Sequence, residues 1–332
     1  MHIRQFEYGD EEQIANIHNA AFKNWIETLG SQYYYRNITS QDVLHWLNAN
    51  GIEGLSLWVV EESNNLIGYA HCYLQIEETQ RKVPVMYFAK THWDMGQSKV
   101  AVLPDYQRKS VGTSLIESAI EYYKSFKAEV VMAFSYNDNY PMEALLTKLG
   151  FSHPGVFYYP PYSEKESLGH DSVYAYYDLT SPLPDIPLNS AVNIRPAEER
   201  DADDLFKLFQ KNAFWIEEEV THDWISEYFS LIQNENGRIL IAEFNDKLVG
   251  AMDYMSVNGR IGIPGVLPEY RRQGIGYTLF FHLLRTMQND GLKSAIADTG
   301  IILPDPIRMY HQFGFDIQRK QHLWVKLLQS NG

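Results

Sequence analysis

Between Arg271 and Gly276 the chain reads RRQGIG, two cationic side chains followed by two glycines one residue apart. Glycine lets backbone come close to a ligand, and a helix starting here turns its free N–H groups outward, so the turn suits a pyrophosphate. The flanking sequence supplies the elements that must position it. Gly262 to Val266 is apolar and strand-compatible, Pro268 stops the pairing, and Ile275, Leu279, Leu283 and Leu284 recur at helical spacing. The segment therefore reads as strand, short loop, helix. A Rossmann or P-loop turn does not match, because there is no G-x-G-x-x-G and no Gly-Lys-Ser/Thr ending. The plainer alternative is a glycine-softened helix start with surface arginines.

The same stretch occurs twice. VLPDYQRKSVG, from Val102 to Gly112, parallels VLPEYRRQGIG, from Val266 to Gly276, and each is followed by a Gly-Phe pair. Pro104 to Gly150 and Pro268 to Gly314 are both 46 positions apart. Ile3-Arg4 matches Ile194-Arg195, Trp25-Ile26-Glu27 matches Trp215-Ile216-Glu217, and Glu61 to Gly68 matches Glu243 to Gly250. Only the stretch from that glycine to the proline differs, 36 positions against 18, as expected for a longer loop or hairpin in the first copy. The period is too long for a solenoid and implies a duplicated domain. The expected division is residues 1–180, a Pro-rich extended linker at 181–190, and residues 191–332. Each copy alternates strands and helices as an α/β fold, a mixed sheet flanked by helices.

Val-x-Pro-x-x-Arg-x-x-Gly-x-Gly, here Val266, Pro268, Arg271, Gly274 and Gly276, resembles the acetyl-CoA-binding motif of the GCN5-related N-acetyltransferase (GNAT) superfamily. YHQFGF, Tyr310 to Phe315, is similar to that family's last motif. The resemblance implies two tandem GNAT domains, an arrangement similar to mycothiol synthase and other duplicated acetyltransferases. It implies acetyl-CoA as acetyl donor, with no metal. Gly265, Val266 and Leu267 would lie along its pantetheine arm, and Arg271, Arg272, Gln273, Gly274, Ile275, Gly276 and Tyr277 around its diphosphate. In the first copy the corresponding residues are Val102, Arg108, Lys109, Ser110, Val111 and Gly112, and Ser110 replaces the first glycine. If that position needs positive φ, a Cβ costs on the order of 1 kcal/mol.

In related enzymes the tyrosine before Gly-Phe donates a proton to the departing thiolate. Tyr310 holds that place in the second copy and Leu146 in the first, and leucine has no proton to give. Chemistry is therefore expected in the second copy, as direct transfer to a primary amine of a small molecule or peptide. The second copy departs from the family at Leu303, where the first has Asn139. Asp253, Glu217 to Glu219, and His71 at the Asp253 position of the first copy are candidates for the base that deprotonates the amine, each also readable as structural or solvated.

Composition sets wider bounds. A length of 332 residues with 45% apolar content suffices for two packed domains. A net charge of −14 argues against a nucleic-acid partner and fits an amine acceptor. One cysteine, Cys72, excludes an intramolecular disulfide, and with no targeting peptide or membrane span in view the expected location is the cytoplasm. The tyrosine clusters Tyr33 to Arg36, Phe157 to Tyr162 and Tyr174 to Tyr177 read first as core packing and second as an acceptor surface. The competing functional class is a non-catalytic acyl-CoA-binding or regulatory protein. Oligomeric state and the acceptor's identity have no signature in the sequence.

Overall fold

A computed structural model describes residues 1–29, 37–48, 56–77, 83–88, 100–158, 169–212, 221–234, 236–256, 259–262 and 265–328. The chain forms two compact units, one of Met1–Ser172 with Arg319–Gly332 and the other of Val173–Gln318.

In the first copy the elements are β1 (His2–Gln5), α1 (Glu11–Ala21), α2 (Lys23–Leu29), α3 (Ser40–Asn48), β2 (Ser56–Glu62), β3 (Asn65–Glu77), β4 (Val83–Phe88) and β5 (Val100–Val102). There follow α4 (Val111–Ser125), β6 (Val130–Tyr136), α5 (Tyr140–Lys148), β7 (Val156–Phe157), β8 (Gly169–His170) and β9 (Ser172–Asp178). The second copy has β10 (Val192–Pro196), α6 (Ala202–Asn212), α7 (His222–Asn234), β11 (Arg238–Phe244), β12 (Lys247–Met255), β13 (Arg260–Ile261) and β14 (Gly265–Val266). It closes with α8 (Ile275–Asn289), β15 (Ser294–Gly300), α9 (Pro304–Gln312) and β16 (Asp316–Leu327).

Ser63 and Asn64 form a hairpin turn. Both residues take positive φ, +52° and +64°, and close a two-residue turn between antiparallel β2 and β3. In the N-terminal unit the sheet runs β1-β2-β3-β4-β6 and then the Arg319-onward part of β16, which pairs antiparallel with β6 from Gln321 to Leu327. In the C-terminal unit it runs β10-β11-β12-β13-β15-β9. The units thus depart from the division expected at 1–180 and 191–332: β9 lies in the C-terminal unit from Val173, and the chain's last strand lies in the N-terminal unit. Sequence order alone could not assign these strands, since each carries a continuous apolar run, Val173 to Tyr177 and Leu323 to Val325, that suits either sheet.

Each sheet is packed on both faces. Leu115, Ile116, Ala119 and Tyr123 of α4 cover one side of the N-terminal sheet, and Ile14, Ile17, Val43 and Trp46 of α1 and α3 belong to the cluster on the other. In the C-terminal unit Leu279, Phe280, Leu283 and Leu284 of α8 correspond to the first set, and Leu208, Phe209, Ile225 and Tyr228 of α6 and α7 to the second. Fully burying each such side chain contributes roughly 1.5–3 kcal/mol.

The matched Ile-Arg and Glu-to-Gly signals turn out to be one duplicated clamp. Arg4 donates to both Asp10 oxygens at 2.7 and 2.9 Å and to Glu61 at 3.3 Å; Arg195 donates to both Asp201 oxygens at 2.7 Å and to Glu243 at 2.9 Å. Asp10 stands before α1, but its carboxylate accepts from Arg4 and the Glu7 N–H instead of capping the helix. Thr39 precedes α3, and it and Asp42 bond each other's backbone N–H.

The Arg195 hydrogen bonds hold the Asp201 carboxyl below its usual range, aided by the Glu198 N–H and opposed by burial. A depressed folded-state value contributes stability that is present above the unfolded value, about 3.9, and lost as pH falls through the folded value. Asp201→Asn is therefore expected to flatten the decline of stability below about pH 4, read as urea midpoints against pH. An unchanged slope would remove Asp201 from the acid response.

Segment 181–190, expected as a linker, is extended but fastened to α8 of the C-terminal unit. Gln288 donates to the carbonyls of Leu179 and Ser181, Tyr177 donates to that of Pro182, and the Asn189 N–H donates to Thr278.

Candidate active site

One edge of β12 carries two strands in succession. β13 pairs at Tyr254–Met255 and β14 at Gly250–Ala251, while β15 pairs with β13 through Arg260↔Ile296. Among the described residues β14 has β12 as its only strand partner, so its other edge is unpaired. The N-terminal unit repeats the arrangement: β3 carries β4 and β5, and β4 alone of the two runs parallel to β6. Such an edge can take an amide-bearing chain as an added strand. Gly250 permits the close approach of β14, since a Cβ there would lie 2.9 Å from the Gly265 carbonyl oxygen.

After β14 the chain makes a 3-10 turn at Pro268–Tyr270 and enters α8 through Gly274, at φ 76° and ψ 0°. No described side chain caps α8 there, which makes it a helix start of the kind an anion can occupy. Arg271 does not point at that site alone: its Nε donates to the Val266 carbonyl at 3.0 Å. Gln107 makes the same bond to Val102, also at 3.0 Å, so this position is a strut between turn and strand in both copies. Arg272 has positive φ, 63°, and its exposed guanidinium lies 3.4 Å from Asp305 at the start of α9. Asn189 donates to the Gln273 carbonyl at 2.8 Å and braces the turn, a contact the sequence did not signal. Gly276 faces Val266, and Tyr277 donates to Gln312.

The first copy folds its turn the same way. Ser110 takes φ 64° and ψ 9° before α4, and Arg108 takes φ 60°, matching Gly274 and Arg272. Serine accepts here the strained conformation that glycine adopts freely, at about 1 kcal/mol. Lys109 lies over the Tyr106 ring, 5.1 Å from its centroid, while Val111 is buried and Gly112 faces Leu145 and Val102.

Tyr310, on α9, is 2% exposed, with its ring packed on Phe280 and Phe315. Burial, ahead of the Asp298 carboxylate, pushes the phenol well above its ordinary range against a weaker pull from Arg260. Arg260 and Asp298 form an ion pair at 3.0 Å, a feature near the phenol that no motif announced. Leu146 takes the equivalent place in the first copy and is fully buried. Asn139 caps α5 by accepting from the Met142 N–H at 3.3 Å, whereas Leu303 precedes α9 without a side-chain cap.

The candidate bases separate. Asp253 is 1% exposed, accepts a short hydrogen bond from Tyr228, and sits against Gly262, where a Cβ would fall 2.0 Å from its Oδ2. At the matching positions of the first copy, His71 stacks on Trp46 with centroids 5.7 Å apart, and burial lowers its imidazole to about 4. Glu217 to Glu219, with Trp215, lie outside the described residues, as do Tyr33 to Arg36 and Tyr159 to Tyr162. Of the aromatic clusters, Tyr174 and Tyr177 on β9 are buried, the core-packing reading.

The acetyltransferase (GNAT) family model matches residues 13–151 and 202–315, so the chain belongs to that family, with one match in each copy. Solved structures similar along the full chain agree on the fold. A GCN5-related N-acetyltransferase from Sphaerobacter thermophilus is 16% identical at a TM-score of 0.66, covering 98% of this chain and 95% of its own. A tandem GNAT protein from the clavulanic acid biosynthesis pathway is 14% identical at 0.65, covering 98% of each. A GNAT-family acetyltransferase from Colwellia psychrerythraea is 12% identical at 0.58, covering 99% of this chain and all of its own. The chain is thus a tandem GNAT protein, of a family whose activity is N-acetyl transfer. No helix among the described residues is long and apolar enough to cross a membrane.

Proposed function

We propose that this protein transfers the acetyl group of acetyl-CoA directly to a primary amine of a small molecule or peptide, with the chemistry in the C-terminal copy. The observation that carries the reading is the conjunction, in one copy, of a one-sided strand, an uncapped helix start and a neutral phenol. The unpaired edge of β14 fits the amides of the pantetheine arm, and the N–H groups from Gly274 with the Arg272 guanidinium fit the diphosphate. The Val266 N–H, which alternation turns away from β12 because the Leu267 N–H donates to Val249, would stabilise the oxyanion as the amine nitrogen attacks the thioester carbon.

As the C–S bond breaks, the sulfur takes the Tyr310 proton, and the proton that the amine nitrogen loses on becoming an amide passes to solvent, from which the phenol is reprotonated. The raised phenol value keeps that proton in place at neutral pH. The N-terminal copy has a similar turn but Leu146 in place of an acid, which supports binding or structural support there over transfer. Release of CoA from acetyl-CoA, measured against a panel of amino acids, polyamines, aminoglycosides and peptides, tests the proposal. Saturable release with at least one amine is expected; tight acetyl-CoA binding with none would favour the non-catalytic class.

A further inference from the structure

We propose that the N-terminal unit carries a binding site for a zinc-class divalent cation, formed by His153, Asp171 and His322. Their donor atoms lie within 4.8 Å of one another, and imidazole with carboxylate is the donor set that suits zinc and its neighbours over magnesium or calcium. Hydrogen bonds hold two of the three groups by their other atoms. His322 Nδ1 lies 2.7 Å from Glu143 Oε1, which makes Nδ1 the N–H donor and leaves Nε2 with its lone pair. Asp171 Oδ1 accepts the Leu323 N–H at 2.8 Å, leaving Oδ2 for the cluster. His153 Nε2 is 2.8 Å from that Oδ2, and its ring lies over His322 at 4.4 Å between centroids.

The surrounding shell resembles one built to orient ligands. Glu143 also faces Ser135 Oγ at 3.5 Å, and that oxygen accepts from Trp324 Nε1 at 2.8 Å, so the carboxylate bonded to His322 is itself fixed. Solvent reaches the site, since the His153 side chain is 33% exposed and that of His322 20%. Metal entry displaces the proton His153 shares with Asp171 and brings the three donors to a spacing of about 3.3 Å around a tetrahedral ion, with water in the fourth position.

The site's location gives it a purpose. His322 belongs to the Arg319–Gly332 segment, whereas His153 and Asp171 come from the N-terminal stretch of the same unit. An ion held by all three fastens the chain's last strand into the N-terminal sheet, and binding to the folded state alone raises the unfolding temperature.

The test is titration of the untagged, chelator-stripped full chain with zinc chloride by calorimetry, with thermal unfolding in parallel. One ion per chain and a raised unfolding temperature are expected. His153→Ala and His322→Ala each weaken binding at least 100-fold; Glu143→Gln weakens it about 10–100-fold. His2→Ala leaves it unchanged. Absence of binding to the unaltered chain, or binding of unaltered strength in both His153→Ala and His322→Ala, would overturn the assignment.

Discussion

Tyr310→Phe is expected to slow amine-dependent CoA release by about 10²–10⁴-fold, the range over which a positioned proton donor acts. The structure separates this effect from damage to the fold. The Tyr310 ring packs on Phe280 and Phe315, contacts that phenylalanine keeps. Unfolding midpoints of the two proteins should therefore agree within about 1 kcal/mol, the net worth of an ordinary hydrogen bond. Since the acid acts on the leaving sulfur and not on binding, the loss should fall on kcat, with acetyl-CoA affinity unchanged. Retained kcat in the Phe variant would remove Tyr310 from the chemistry.

Gly262→Ala is the second change with a large expected effect. An added Cβ would fall 2.0 Å from Asp253 Oδ2 and 2.5 Å from its Cγ, and that carboxylate is buried and bonded to Tyr228. It has little room to yield. The Gly262 N–H also donates to the Asp253 carbonyl at 2.9 Å, so the two residues are tied where β12 changes partner from β13 to β14. Overpacking of this kind costs about 1–3 kcal/mol. In an Asp253→Ala background the obstructing carboxylate is gone, and the cost of Gly262→Ala should shrink by on the order of 1 kcal/mol. Equal costs in both backgrounds, measured by urea unfolding, would show that the clash is relieved elsewhere.

Much of the site was legible because its determinants are local. Both turns announce themselves through Pro104 and Pro268, and the backbone angles of Ser110 and Gly274 agree as their alignment required. The Ser63-Asn64 hairpin is local in the same sense. What the sequence could not reveal is which partner each side chain takes once the chain is folded, even one only five or six residues away. Arg271 reads as a phosphate ligand, and its Nε bond to Val266, copied by Gln107 and Val102, adds the work of a strut. Asp10 stands at the N-cap position of α1, yet Arg4 takes its carboxylate. The placement of β9 and of the last strand depends on which sheet each meets, and their continuous apolar runs suit either.

The pair of Arg260 and Asp298 sits on two strands with no shared motif. Its field on Tyr310 emerges only once β13 and β15 are parallel neighbours.

The central claim is that one molecule of acetyl-CoA spans the turn at Arg272 to Gly276 and the phenol of Tyr310. A crystal structure of the full chain soaked with acetyl-CoA tests it most directly. The account predicts diphosphate oxygens on the N–H groups that open α8, pantetheine amides along β14, and the thioester sulfur within hydrogen-bond reach of the Tyr310 hydroxyl. Cofactor density seated elsewhere in the C-terminal copy, or a sulfur screened from Tyr310 by packed side chains, would contradict it.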